Sequence, residues 1–265
     1  MAALHEHLGA VQLVDHHVHG CWLRAPDRTA FENSLNEANT EPLAPFDSGF
    51  DTQLGFAVRA HCASALGLAR HASADEYWDR RTTVPEAELA QSFLAAADVS
   101  DWLVDTGIAT GVATPGELSV LSAGRVHEVV RLESVAEQAA ARSGDYATAF
   151  DEILDDRTRN AVGTKSVLAY RGGFVGDLSD PAPGEVAEAA GRWRDAGGTR
   201  LTDRVLLRFG LHRALRLGKP LQLHVGFGDR DADLHAANPI HLLHFLRASG
   251  ATPVMLLHCY PYERD

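Results

Sequence analysis

Residues 11–20, VQLVDHHVHG, place a carboxylate and three imidazoles directly after an apolar segment that is typical of a β-strand. Because side chains alternate between the two faces of a strand, Asp15, His17 and His19 lie on one face. Two imidazoles on one face can bind a single divalent metal ion, and a nearby carboxylate can orient such a ligand. The spacing favours His17 and His19 as metal ligands and Asp15 as their support, although polar loop residues that bind nothing would show the same pattern.

Polar residues also lie at the ends of all the remaining strands that the sequence predicts. Strands are expected near residues 11, 102, 127, 162, 221 and 254. The residues at their ends are Asp105, Arg131, Glu133, Tyr170, Arg171, His224 and His258. In a parallel barrel, catalytic groups cluster at the C-terminal ends of the strands, so one shared site is predicted. A lone histidine in such a position is more often a hydrogen-bonded core residue; the repeated placement favours His224 and His258 as further ligands.

The elements that must position these residues alternate between strands and helices. This order indicates parallel βα units and an α/β fold of the (β/α)₈ TIM-barrel type. Residues 24–98 form a predicted insertion or cap after the first strand, irregular over 24–55 and helical over 56–98. With six strands counted and only seven residues after His258, residues 1–265 are expected to be a single barrel domain that lacks its last two βα units.

Composition and charge exclude several classes of protein. The chain has 265 residues and a net charge of −12, which argues against a nucleic-acid-binding face. No segment approaches the roughly 20 apolar residues of a membrane helix, and the N-terminus does not show a secretory signal. Three scattered cysteines do not suggest a disulfide framework, so a cytoplasmic location is expected. The expected partners are a small-molecule substrate and, through unpaired strand edges, a second copy of the chain.

Lys165 is a further candidate for chemistry because lysine is rare in this chain. Only Lys165 and Lys219 accompany 22 arginines among the 24 basic residues, and Lys165 lies inside an apolar segment. A strand that ends at Tyr170 would place Lys165 deep in the barrel. Lys165 is therefore predicted either as a metal ligand or catalytic group, or as a buried lysine paired with an acid.

Six segments in chain order resemble the metal-dependent amidohydrolase superfamily, specifically the amidohydrolase-2 group close to the N-terminal amidohydrolase domain of FluG-like proteins. They are VDHHVHG, WLVDTGI, VVRLE, VGTKSVLAYRGG, LQLHVGFGDRDADL and VMLLHCYPY. The resemblance implies a distorted (β/α)₈ barrel with one or two divalent ions, zinc being expected and manganese or iron being alternatives. The implied ligands are His17, His19, His224, His258 and, if carbamylated as in other branches, Lys165. The family's catalytic aspartate at the end of strand eight lies beyond these segments, so weak metal binding and little turnover are expected of the chain alone.

The implied reaction is metal-assisted hydrolysis of an amide or other C–N bond in a small substrate that bears a carboxylate. The predicted catalytic residues are His258, Lys165 and Asp15. Arg131, Tyr170 and Arg171 are predicted to hold the substrate, since arginine binds carboxylates through two hydrogen bonds. Two alternatives stay open: a non-oxidative decarboxylase or sugar-acid isomerase on the same barrel, and a non-catalytic remnant domain.

Overall fold

The structure is a computed structural model, and it describes residues 11–36, 41–44, 46–108, 111–229 and 232–262. The chain divides into two compact units. The first contains Met1–Val104 and Ile108–His127, and the second contains Asp105–Gly107 and Glu128–Asp265. The prediction that residues 1–265 form a single barrel domain is not tested by this division and stays a prediction.

The first unit begins with a parallel strand pair that frames a helical segment. Strand β1 (Leu13–Val18) pairs in parallel with β2 (Val99–Asp105), and Asp15 lies opposite Trp102 in the register. Among the residues that the structure describes, four α-helices lie between these strands and a fifth follows β2. Their bounds are α1 Arg28–Ser34, α2 Gln53–Ala65, α3 Ala74–Thr82, α4 Glu86–Ala97 and α5 Pro115–Leu121. The helices predicted within residues 56–98 are confirmed.

Two details of the first unit differ from the prediction. Residues 24–55 are not irregular throughout, since they contain α1 and a 3-10 turn at Gly49–Asp51. Local capping explains both elements: Asp27 accepts a hydrogen bond from the Ala30 backbone N–H at 2.8 Å, and Ser48 caps the 3-10 turn. Helix α5 was not predicted from the sequence, although Thr114 and Glu117 form a capping box around Pro115 at its start.

The helices of the first unit pack around aromatic side chains. Phe31, Phe50 and Tyr77 are all buried, and the ring centroids of Phe50 lie 5.7 Å from Phe31 and 5.6 Å from Tyr77. Such spacing is that of attractive aromatic pairs. These rings give the helical segment a hydrophobic core of its own, which extends to Leu66 and Leu89.

The second unit consists of parallel strands that alternate with helices. Strand β3 (Arg125–Arg131), which enters this unit at Glu128, pairs with β4 (Gly163–Ser166), β4 with β5 (Leu221–His224), and β5 with β6 (Val254–Leu257). The helices between them are α6 Leu132–Ala141, α7 Tyr146–Thr158, α8 Pro183–Asp195, α9 Arg204–Leu217 and α10 Leu243–Ala248. Because all of these strand pairs are parallel and follow chain order, the predicted α/β class is confirmed.

Two strands of the second unit, β4 and β5, are buried among apolar side chains. Every residue of β4 and of β5 is buried. Phe150 of α7 and Phe209 of α9 contact each other with ring centroids 5.2 Å apart in the same core. A parallel strand covered on both faces requires apolar residues throughout, so the polar residues that do occur in these strands need partners.

Candidate functional site

Side chains at or next to the ends of three strands form a buried ionic cluster in the second unit. Asp105 ends β2, Arg131 ends β3, and Lys165 lies next to the end of β4. The Asp105 Oδ2 atom is 2.6 Å from Arg131 Nη2 and 3.0 Å from Lys165 Nζ. The side chains of Asp105 and Lys165 are 0% and 2% exposed, respectively. A buried carboxylate is costly unless it is paired, and here two cations compensate one anion.

The end of β4 corrects the predicted position of Lys165. The strand ends at Ser166, and Tyr170 and Arg171 lie instead in a 3-10 turn over Leu168–Arg171. The sequence prediction that these two residues end the fourth strand is therefore wrong. The physical reason is Glu133, whose Oε1 accepts hydrogen bonds from Ser166 Oγ at 2.6 Å and from the Val167 backbone N–H at 3.0 Å. This carboxyl group takes the Val167 backbone donor, and Lys165 consequently lies one residue from the strand end.

Lys165 has the surroundings of a paired, buried lysine. Burial lowers the pKa of its ammonium group, and the charge of Asp105 acts in the opposite direction. The ion pair with Asp105 matches the second of the two predictions for this residue, a lysine paired with an acid. Its predicted roles in metal ligation and catalysis stay predictions.

Glu133 was predicted to end the third strand and was given no function, but it lies instead in the first turn of helix α6. It is 2% exposed, and its Oε2 atom has no hydrogen-bond partner among the described residues. Burial raises the pKa of this carboxyl group, against the hydrogen bond from Ser166. The available sequence signal was an acidic residue between apolar neighbours in VVRLESVA.

His224, at the end of β5, is held as a neutral imidazole. It is 5% exposed, and burial, followed by the positive charges of His258 and Lys165, lowers its pKa from 6.5 to about 3. Its ring centroid lies 4.7 Å from that of His258 and 4.4 Å from that of Tyr170. The neutral form of imidazole is the one that binds metals. The Nε2 atom of His224 makes no hydrogen bond of normal geometry with the described residues, and a contact with the Phe227 backbone acts against the lowering of its pKa.

Glycine allows the backbone to approach this nitrogen closely. A Cβ atom at Gly228 would lie 2.6 Å from His224 Nε2 and 2.0 Å from Tyr170 Oη, so a larger residue here would displace those side chains. Gly226, with a φ of +69°, brings its backbone close to the carbonyl oxygen of His258. His258 itself is exposed and has a φ of 61°, in the left-handed region that non-glycine residues rarely occupy. The loops after β5 and β6 are thus shaped around the two imidazoles.

The first unit contains the other predicted histidine pair. The ring centroids of His17 and His19 are 4.8 Å apart with nearly perpendicular planes, and both residues are half-buried. Asp15 Oδ1 accepts a hydrogen bond from the His17 backbone N–H at 3.1 Å, which fixes the chain between the carboxylate and the imidazoles. The ligand roles of His17 and His19 and the catalytic role of Asp15 stay predictions.

The residues predicted to hold substrate have other contacts in the structure. Arg131 donates to both carboxylate oxygens of Asp105, at 2.6 and 3.2 Å. Tyr170 Oη lies 3.4 Å from His224 Nδ1 and accepts a hydrogen bond from the Asp229 backbone N–H at 3.3 Å. Arg171 follows Tyr170 in the 3-10 turn and is half-buried. Substrate binding by these three residues stays a prediction.

The side chains at this site are of types that bind divalent ions, but they do not form a complete coordination shell. A neutral, buried imidazole whose Nε2 makes no hydrogen bond of normal geometry lies beside a second imidazole, and the Gly228 backbone approaches it closely. Within the described ranges, no group of three or more His, Cys, Asp or Glu side chains is arranged to hold a metal ion. In the same ranges, no helix combines the length and apolar character required to cross a bilayer.

Comparisons with known proteins agree with this fold. No protein-family model matches the chain. Protein fluG of Emericella nidulans is 29% identical over 141 residues, which cover 45% of this chain and only 16% of that protein. A solved structure from Lactobacillus casei, provisionally named a metal-dependent hydrolase, is 27% identical, with a TM-score of 0.76 over 98% of this chain and 70% of that one.

A uronate isomerase from Bacillus halodurans shares the fold at a greater distance. It is 14% identical, with a TM-score of 0.56 over 92% of this chain and 66% of that one. The chain therefore has a TIM-barrel-like α/β fold and resembles metal-dependent hydrolases of that fold. Its predicted place in the amidohydrolase-2 group stays a prediction.

Proposed function

We propose that this chain is a metal-dependent hydrolase that cleaves an amide or other C–N bond in a small substrate bearing a carboxylate. The observation that carries the proposal is the buried, neutral imidazole of His224, which lies beside His258 and whose Nε2 makes no hydrogen bond of normal geometry. The similarity to a provisionally named metal-dependent hydrolase across 98% of the chain supports it.

The proposed metal ligands in the second unit are His224 and His258, with Lys165 as a further candidate. His17 and His19 are the second imidazole pair in the predicted ligand set. When bound, a divalent ion supplies Lewis-acid polarisation of a carbonyl group and lowers the pKa of water. Imidazole ligands are compatible with zinc, which we expect, and with manganese or iron.

The chain's own charges favour a substrate that carries an anion. Arg131 is a permanent cation at the end of β3, where it donates to both carboxylate oxygens of Asp105. Burial raises the pKa of Glu133 and so favours its uncharged form. Arginine binds carboxylates through two hydrogen bonds, and we propose that Arg131 and Arg171 bind the carboxylate of the substrate.

Tyr170 and His258 complete the proposed chemistry. The phenol of Tyr170 lies against His224 and can donate a hydrogen bond to a substrate oxygen. His258 is exposed at the end of β6, and its proposed role is either to ligate the ion or to stabilise the developing oxyanion. Asp15 fixes the His17 backbone, and its proposed contribution is to hold that segment in place.

A sugar-acid isomerase or decarboxylase is the second candidate. The uronate isomerase of similar fold shows that this architecture is not restricted to hydrolysis, and at 14% identity that likeness concerns the fold alone. An isomerase would rearrange its substrate without releasing ammonia, an amine or CO₂. The products therefore separate the candidates.

The test is a product assay on the metal-loaded protein. The purified chain is loaded with Zn²⁺, Mn²⁺ or Fe²⁺ and incubated with γ-glutamyl amides, other N-acyl amino acids, aromatic carboxylic acids and uronates. We expect release of ammonia or amine that is lost in a His224→Ala variant and retained in a His244→Ala control, since His244 is an exposed helix residue. Release of CO₂, or conversion of a uronate without release, would assign the alternative. Absence of every product would refute the enzyme proposal.

A further inference from the structure

The helical segment of the first unit contains a cavity that the proposed reaction does not use. Its volume is about 340 Å³, and its wall includes the aromatic side chains Trp22, Phe31, Tyr77 and Phe93. Leu89 and Ala90 of α4 complete the apolar part of the wall. The cavity is open to solvent on one side, so a molecule can enter it without unfolding the segment. A cavity of roughly 150 Å³ with an apolar wall is already large enough to bind benzene, so this one can hold a larger aromatic molecule.

One ion pair interrupts the apolar wall. Arg81 Nη2 lies 2.7 Å from Glu86 Oε1, and the two side chains are 7% and 14% exposed. The guanidinium also lies 4.9 Å from the centroid of the Phe31 ring. Because the two charges cancel, the wall does not favour a charged guest. A guanidinium has five N–H donors, and the carboxylate of Glu86 engages it through only one nitrogen among the described contacts.

The reactivity of two thiols in the wall can show whether the cavity is occupied. Cys21 and Cys62 both belong to the cavity wall and are half-buried, and burial raises the pKa of each thiol. Cys259 is also half-buried but lies in the second unit, where its Sγ contacts the Leu256 carbonyl oxygen at 3.6 Å. A molecule inside the cavity would shield the first two thiols and leave the third unchanged.

We propose that this cavity binds an uncharged aromatic molecule of about two fused rings that carries one hydrogen-bond acceptor directed at Arg81. The aromatic wall supplies contact area for flat rings, and pockets of this kind are mainly apolar with a few polar groups that fix orientation. The charge balance of Arg81 and Glu86 selects a neutral guest over an anionic one. This inference does not depend on the proposed hydrolase activity.

The test uses prodan, an uncharged naphthalene with a ketone acceptor whose emission reports an apolar environment. We expect saturable binding of one prodan per chain, with weaker binding of the anionic anilinonaphthalene sulfonate. Ala90→Phe fills the cavity and should weaken prodan binding by about tenfold or more, since the ring occupies the guest's space. Ala96→Phe is the matched control, because Ala96 lies on the same helix α4 and is exposed.

Thiol protection in the unmodified chain provides a second readout that does not depend on the folding of a variant. With prodan at saturation, alkylation of Cys21 and Cys62 by N-ethylmaleimide should slow by about fivefold or more, while Cys259 reacts at an unchanged rate. Site-resolved mass spectrometry measures the three rates. Absence of saturable binding, equal binding by the two phenylalanine variants, or equal protection of all three thiols would overturn the proposal.

Discussion

The two predicted histidine pairs have similar ring separations but different surroundings. The rings of His17 and His19 are 4.8 Å apart and half-buried, and the described contact that fixes their segment is a backbone hydrogen bond to Asp15. The rings of His224 and His258 are 4.7 Å apart, but His224 is 5% exposed and carries an imidazole whose pKa is lowered to about 3.

This difference indicates that the burial of a histidine, more than the distance between paired rings, determines its chemical role. A half-buried imidazole near a strand end keeps contact with water and costs little to maintain. A buried imidazole with a nitrogen that makes no hydrogen bond of normal geometry is expensive, and a structure retains such a group where it binds something. The second unit also surrounds its histidine with a buried ionic cluster, so changes there should have larger effects than changes in the first pair.

The largest effect on the free energy of unfolding is expected from a substitution in the buried ionic cluster of Asp105, Arg131 and Lys165. Asp105→Ala leaves both Arg131 and Lys165 without their shared carboxylate, and breaking a buried ion pair typically costs about 3–5 kcal/mol of unfolding free energy. Asp156→Ala is the control, since its pair with Arg159 is about 70% exposed on both sides. Urea denaturation measures both variants. Equal losses would show that the cluster does not stabilise the second unit.

A smaller effect on the free energy of unfolding is expected from the protonation of His224. Its pKa falls from 6.5 to about 3 on folding, so the folded chain binds fewer protons between these values. The resulting stability is present above pH 6.5 and is lost as the pH falls, at up to about 1.4 kcal/mol per pH unit.

The measurement compares wild type with His224→Gln by urea denaturation at pH 6.5 and pH 5, with a chelator present to remove metal. Wild type should lose more unfolding free energy than the variant over this interval, by about 1–2 kcal/mol. Parallel pH dependence of the two proteins would show that His224 does not have a depressed pKa.

The smallest effect is expected from the first pair. The double variant His17→Ala/His19→Ala should change the unfolding free energy of the metal-free chain by less than about 1 kcal/mol, because substitutions of half-exposed residues outside a core are usually mild. Thermal denaturation in chelator tests this expectation. A loss as large as that of Asp105→Ala would remove the contrast between the two regions.

Local sequence patterns were sufficient for much of this fold. Strand β5 was predicted with its observed bounds, Leu221–His224, because an apolar segment runs directly into a polar residue. The end of β4 was predicted four residues too late, because the donor at Val167 is taken by Glu133, which is 34 residues away in the chain. No pattern within residues 162–170 contains that information.

For the candidate site too, local sequence patterns predicted some features, and contacts between distant residues decided others. Alternation and strand ends identified Asp15, His17, His19, His224 and His258 as candidates. The pairing of Lys165 with Asp105 joins residues 60 positions apart on two separate strands, β4 and β2, so the sequence alone leaves it one of two predictions. The cavity in the helical segment was not predicted, because it arises from how large aromatic side chains from separate helices pack.

Metal content measures the central claim most directly. The metal-free chain is titrated with Zn²⁺, and bound metal is quantified in wild type, His224→Ala/His258→Ala, His17→Ala/His19→Ala and the exposed control His241→Ala/His244→Ala. We predict saturable zinc binding by wild type and by the exposed control. The zinc affinity of the His224→Ala/His258→Ala variant should be lower by about tenfold or more, since both substitutions remove a direct ligand. Undiminished zinc binding by the His224/His258 variant would contradict the account.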